Sequence, residues 1–202
     1  MHGAIDRTGL PPRCDHSCLQ RGGNPEHLPG RPDGDKRCSD VIVTVTARAT
    51  TTADLPDVAQ LLADGSAAVS DERGGHVFVN REALEPPYED RLSALLGDAT
   101  AFIAIGAVDD VAMGCALARV ETLRDGTVLA RLEHLWVEPG AREVGLGGEL
   151  IDLVMKWACE VGATRLDAYA LPGNREAKNF LETAGFSARL IVMHRTIGAP
   201  SS

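Results

Sequence analysis

No stretch of the 202-residue chain is apolar over the roughly 18 to 20 residues that a membrane-spanning helix needs. Nor does the N-terminus have the basic-then-apolar layout of a secretory signal. These two absences predict a cytoplasmic protein with no membrane partner. Positive charge is also in deficit: 20 Lys and Arg against 29 Asp and Glu leave a net charge of −9. That balance disfavours nucleic acid and anionic membrane surfaces as partners and tolerates cationic small molecules. Common phosphate loops are missing as well. No Gly-Lys-Ser/Thr of a Walker A loop occurs, and a dinucleotide fingerprint counted from Gly145 would need glycine or alanine where Leu150 stands. With no nucleophile elbow and no cysteine–histidine pattern near the glycine turn described below, chemistry through a covalent enzyme intermediate is disfavoured there.

Residues 1–40 lack aromatics altogether, and Pro11, Pro12, Pro25, Pro29 and Pro32 interrupt any periodicity. Such a segment cannot bury enough apolar area to offset its ordering entropy, so a disordered tail is expected over 1–40 and a folded domain over 41–198. Six basic and six acidic side chains cancel within the tail, which assigns the whole net charge to the domain. Cys14, His16, Cys18, His27 and Cys38 could in principle ligate zinc, but Cys-x3-Cys without a well-spaced second pair argues against it, and no metal is expected. An overextended gene start would account for the tail. Cys115 and Cys159 read as core residues of a strand and a helix, and disulfides are not expected in a cytoplasmic protein.

What is present is a mixed α/β pattern. The run 41–48 alternates as a strand; Thr52 or Asp54 is placed to cap a following helix with Pro56 in its first turn and Leu55, Val58, Leu61 and Leu62 inward. Residues 65–86 read as polar and irregular apart from His76-Val77-Phe78-Val79, and a shorter helix is expected from Tyr88 to Leu96. Three strand-like runs follow, 101–108, 111–121 and 127–137, separated by the hairpin signals Asp109-Asp110 and Arg124-Asp125-Gly126. Pro139-Gly140 closes the third run. From Leu150 the apolar period becomes helical, with Leu150, Ile151, Val154, Ala158 and Val161 on one face. A strand over 165–171, a short helix over 174–184 stopped at Gly185, and a closing strand over 188–196 complete the expectation: six or seven strands, mostly antiparallel, with about four helices.

Between the third run and the long helix lies Arg142-Glu143-Val144-Gly145-Leu146-Gly147-Gly148. Glycines at a helix start let the backbone approach a ligand closely, and the first-turn amides lack intrahelical acceptors, which suits a phosphate. Glycines that merely permit close packing would look the same. Arg142-x-x-Gly145-x-Gly147 after a strand resembles the pyrophosphate-binding motif of the GNAT N-acetyltransferases. The resemblance resumes at Asn174-x-x-Ala177-x-x-Phe180-x-Glu182-x-x-Gly185-Phe186, similar to that family's second acyl-CoA segment, and with the strand–helix pattern it covers about 41–196.

The resemblance implies the GNAT fold and an acyl-CoA-dependent N-acetyltransferase, with acetyl-CoA as co-substrate and a small-molecule or protein amine as acceptor. The rival implication is an acyl-CoA-binding sensor or interaction module without turnover. A homodimer is compatible with either. By resemblance, Arg142, Glu143, Val144, Gly145, Leu146, Gly147 and Gly148 hold the diphosphate, the backbone of Leu135, Trp136 and Val137 follows the pantetheine arm, and Asn174 contacts the cofactor. That arm requires the 127–137 strand to splay from the next parallel one. Glu133 is the expected catalytic base, with a rim carboxylate paired to Arg131 as the structural alternative; strand alternation turns its neighbour His134 to the other face. Many members place a tyrosine directly after the position of Phe180, where this chain has Leu181, which cannot donate a proton; Tyr169, on the strand after the long helix, reads as a core residue, with an approach to the sulfur as the alternative. Glu82, Glu85, Glu89 and Asp90 read either as a solvated loop or as a wall for a cationic acceptor.

Overall fold

The computed structural model describes residues 43–195 together with 197 and 198. The tail, its six Cys and His side chains, residues 41 and 42 and residue 196 therefore lie outside the described residues.

One five-stranded sheet runs in the order of the chain: β1 (Val45–Ala49), β2 (Ala101–Val108), β3 (Val111–Thr122), β4 (Val128–Val137) and β5 (Arg165–Ala168). The first four pair antiparallel and β5 joins β4 in parallel. Among the described residues five α-helices are interleaved: α1 (Leu55–Ser70), α2 (Gly75–Arg81), α3 (Tyr88–Leu96), α4 (Leu146–Glu160) and α5 (Arg175–Thr183). The expected meander and both hairpins are there, the tighter one turning through Asp109 and Asp110 at φ 48° and 64°. Parallel pairing of β5 with β4 across α4 is the crossover that the strand–helix–strand pattern demands.

Strand alternation divides the core between the two faces of the sheet. Ile103, Ile105, Cys115 and Leu117 meet α1 and α3, while Ala104, Ala116, Ala118, Leu132 and Val137 meet α4. The α4 face is made of small residues, so the helix sits close. A methyl group added at Gly106 would stand 2.6 Å from Leu146 Cδ1, and Leu146, Leu150 and Val154 of α4 are fully enclosed. Ahead of α1, Asp54 accepts hydrogen bonds from the Thr51 amide and hydroxyl and from Arg48, so it closes the turn rather than capping the helix through its own first amides.

Three expectations are corrected. Of residues 65–86, read as irregular, 65–70 continue α1, and the apolar residues 76–79 belong to α2, a seven-residue helix too short to display a helical period. Cys159 is exposed on α4, whereas Cys115 is buried. No strand forms over the described part of 188–196: Leu190, Ile191, Val192 and Met193 are 69–87% exposed. The edge beside them, β5, is only four residues long and offers too short a ladder to order a further strand; an ion pair between Arg189 and Asp167 is the tie between them.

Candidate active site

The parallel ladder between β4 and β5 begins at Leu129–Arg165 and ends at Leu132–Ala168. Beyond it the two strands part. From Glu133 to Val137 one side of β4 has no β5 partner, and a cleft of about 360 Å³ opens between this stretch and residues 168–171. It passes through the sheet. On one side lie the turn before α4 and the start of α5, represented by Arg142, Gly147, Asn174 and Phe180; on the other lie α1 and α2, represented by Val69 and Phe78.

A β-bulge marks the point of divergence. Leu117 pairs with His134 and Ala118 with Leu132, which leaves Glu133 as the extra residue on β4. Bulges re-aim side chains, and here the expected alternation fails. Glu133 lies with Arg131 and Arg119, on the side of the sheet away from α4, and His134 also points to that side, against Gly65 of α1. The Glu133 side chain is 9% exposed; it is ion-paired to Arg131, and Arg119 Nε stands 4.0 Å away. The expected base thus occupies the cleft as an ion-paired carboxylate at a bulge.

His134 is half-buried as a residue, with the tip of its ring sealed off. Its Nε2 is buried with no partner among the described residues, and burial pushes its pKa down to about 4. The unfolded chain takes up this proton near pH 6.5, so stability is expected to rise with pH between about 4 and 6.5 and to be fully present above that window. The contribution is on the order of 3 kcal/mol. Urea denaturation across the window should show the decline on acidification, and His134→Leu should flatten it; an equal slope in both proteins contradicts this. Asp54 does not obscure the test: the Arg48 hydrogen bond holds its carboxyl well below the usual range, so its contribution is lost only at lower pH.

The turn leading into α4 is built around Gly145, which caps the helix at φ 92°, a left-handed conformation that glycine adopts without strain. The Gly148 and Glu149 amides donate back to Gly145 O, at 3.0 and 3.3 Å. The amides of Leu146 and Gly147 have no acceptor among the described residues; Leu146 is enclosed in the core, whereas Gly147 lines the cleft, so its donor faces the cleft at the positive end of the helix. Of the predicted phosphate turn, Gly148 is therefore occupied internally. Val144 and Glu143 are exposed on the short 3-10 turn that precedes it.

Around this turn the polar side chains already hold one another. Arg142 donates from Nε to Val137 O at 3.1 Å, pairs with Glu176 at 2.9 Å, and lies 5.1 Å from the ring centre of Trp136. Asn174 caps α5 by accepting from the Ala177 amide at 2.9 Å, and its own amide nitrogen donates to Glu72 at 2.8 Å. Leu135 and Val137 turn toward α4 and Trp136 toward α1. Leu181 is buried.

The cleft also holds Phe78, to which sequence reasoning assigned no role, beside Tyr169. Phe78 of α2 and Tyr169 after β5 meet edge to face with ring centres 5.6 Å apart. Tyr169 is 42% exposed, so it is a wall of the cleft rather than a core residue. Glu82, Glu85, Glu89 and Asp90 do not line it; Glu82 and Glu85 pair with Arg81 and Arg91. The signal available was the apolar run around Phe78, which has no periodicity to fix its direction.

A model of the acetyltransferase (GNAT) family matches residues 69–186. No match is found among curated proteins. Solved structures resemble the fold at low identity. The aminoglycoside N-acetyltransferase AAC(6')-Iy in complex with CoA is 18% identical, with a TM-score of 0.62 over 76% of this chain and 95% of that one. A ribosomal-protein-alanine N-acetyltransferase from Brucella melitensis biovar Abortus 2308 is 20% identical, with a TM-score of 0.55 over 77% and 100%. A transcriptional regulator from Bacillus halodurans C-125 is also 20% identical, with a TM-score of 0.58 over 76% and 100%.

Proposed function

Because the chain belongs to the GNAT acetyltransferase family, we propose that it is an N-acetyltransferase in which a primary amine attacks the thioester of acetyl-CoA directly within a ternary complex. One observation carries the reading: the opening between β4 and β5 leads to a helix start whose Leu146 and Gly147 amides point to no acceptor among the described residues. The residues present fit a diphosphate with an extended arm. The Gly147 amide and the Arg142 guanidinium receive the diphosphate, with Arg142 exchanging Glu176 for it, and the edge of β4 from Leu135 to Val137 that has no β5 partner, where Arg142 already takes the Val137 carbonyl, accepts the arm as a strand would. Asn174 contributes by holding α5 and the Glu72 turn together at the cleft rather than through a vacant amide.

Holding amine and thioester together supplies much of the rate, since it turns an encounter of two reactants into a step within one complex. Glu133 accepts the proton of the attacking amine, directly or through water, while Arg131 and Arg119 balance its charge. A β4 amide at the bulge stabilises the oxyanion of the tetrahedral intermediate. Leu181 provides no proton to the departing thiolate, so water does, or Tyr169, the phenol that lines the cleft.

The test is thiol release from acetyl-CoA in the presence of a panel of amines. Amine-dependent release above the rate of spontaneous hydrolysis is expected. The second reading, an acyl-CoA-binding module, is favoured by the buried leucine at position 181. It predicts heat stabilisation by CoA with no release for any amine.

A further inference from the structure

The geometry points to the class of acceptor: a monoamine with a flat apolar body, not a polycation. This rests on the acetyltransferase reading and goes beyond it. With the diphosphate at the α4 turn, the amine must come through the cleft from the α1–α2 side. There the walls are Val69, Phe78, Ala83, Trp136, Tyr169 and Leu171. Glu133 is the carboxylate in that part of the cleft, and two arginines already offset it.

The adjoining cavity shares Arg142 with the proposed diphosphate site, so it belongs to the cofactor end and does not supply the acceptor with negative charge. It is lined by Arg73, Arg142 and Arg175 against Glu72 and Glu176, and Glu176 is paired with Arg142. Arg73 and Arg175 have no ionic partner among the described residues. Arg175 moreover stands in the first turn of α5, where the helix dipole disfavours a cation, so the fold itself gains nothing from its charge. A polyamine or an aminoglycoside needs a carboxylate for each of several ammonium groups, and the α1–α2 part of the cleft offers it Glu133, which two arginines already offset. A single ammonium directed at Glu133, with an apolar body between Phe78 and Tyr169, has a partner for every part. The cleft of about 360 Å³ must also hold the thioester end of the cofactor, which leaves room for a body of ring size.

The experiment compares kcat/KM for 2-phenylethylamine, spermidine and kanamycin with acetyl-CoA, in the full chain and in Phe78→Ala. The expected result is at least a tenfold preference for 2-phenylethylamine. In Phe78→Ala that preference should fall by ten- to a hundredfold through KM, because the ring loses its apolar wall. CoA-induced thermal stabilisation should be unchanged in the variant, which confirms that it is folded. Preference for spermidine or kanamycin, or an unaltered KM in Phe78→Ala, overturns the acceptor class and leaves the acetyltransferase reading standing. Where no amine turns over, calorimetry of 2-phenylethylamine with the CoA-loaded protein decides: binding weakened by Phe78→Ala supports the proposal, and no binding overturns it. Absence of any CoA-induced stabilisation in the wild-type chain overturns both.

Discussion

Gly148→Asp is expected to weaken CoA binding at least a hundredfold while leaving the protein folded. A side chain added at Gly148 meets nothing within 4 Å. An aspartate in the first turn of a helix is compatible with the dipole, so stability should be unchanged or slightly higher. Its carboxylate, however, adds a negative charge next to Gly147, whose amide is proposed to hold the diphosphate. Two like charges about 5 Å apart repel by about 3 kcal/mol at an effective dielectric of 20, which corresponds to more than a hundredfold in affinity. Gly147 is the less informative position. There an added Cβ would stand 2.9 Å from Phe180 Cζ, so lost binding could follow from disturbed packing between α4 and α5. Calorimetric titration of CoA into Gly148→Asp, with a urea curve on the same sample, makes the measurement; an unchanged Kd in the folded variant removes the diphosphate assignment.

Glu133→Gln is expected to lower kcat by about a hundredfold with little change in the KM for acetyl-CoA, in keeping with the usual size of general-base contributions. The deficit should shrink as pH rises, because at alkaline pH more of the acceptor arrives already deprotonated. Glutamine keeps the shape of the side chain but gives up the carboxylate that Arg131 and Arg119 face. Both arginines are more than a third exposed, so water can take over part of their solvation and the fold should survive. If Glu133 serves only to hold these arginines at the rim, the substitution changes stability and leaves the pH–rate profile as it was.

How far the sequence revealed this site differs from residue to residue. The turn before α4 was legible because it combines three independent signals: a strand stopped by Pro139, glycines at fixed spacing, and a helical period beginning at Leu150. The ends of β2, β3 and β4 were legible for a similar reason, since hairpin residues and strand alternation agree there. The bulge was not. One extra residue at Glu133 leaves no mark on the apolar pattern, yet it decides which way Glu133 and His134 point. The splay was foreseen only through the family resemblance; nothing in residues 133–137 or 168–171 tells where a parallel ladder stops. The acceptor side was the least visible, because Phe78 sits on a one- to two-turn helix and Tyr169 on a connecting segment, and their contact joins residues far apart in the chain. Conversely, residues 188–195 have strand-forming composition, but a strand needs an edge to pair with and β5 is too short to provide one.

The most direct measurement follows the backbone amides of an isotopically labelled sample by NMR while CoA is added. The account predicts that the Leu146 and Gly147 signals move first and furthest, together with those of the open stretch from Leu135 to Val137. CoA binding that leaves the Leu146 and Gly147 amides unperturbed would contradict it.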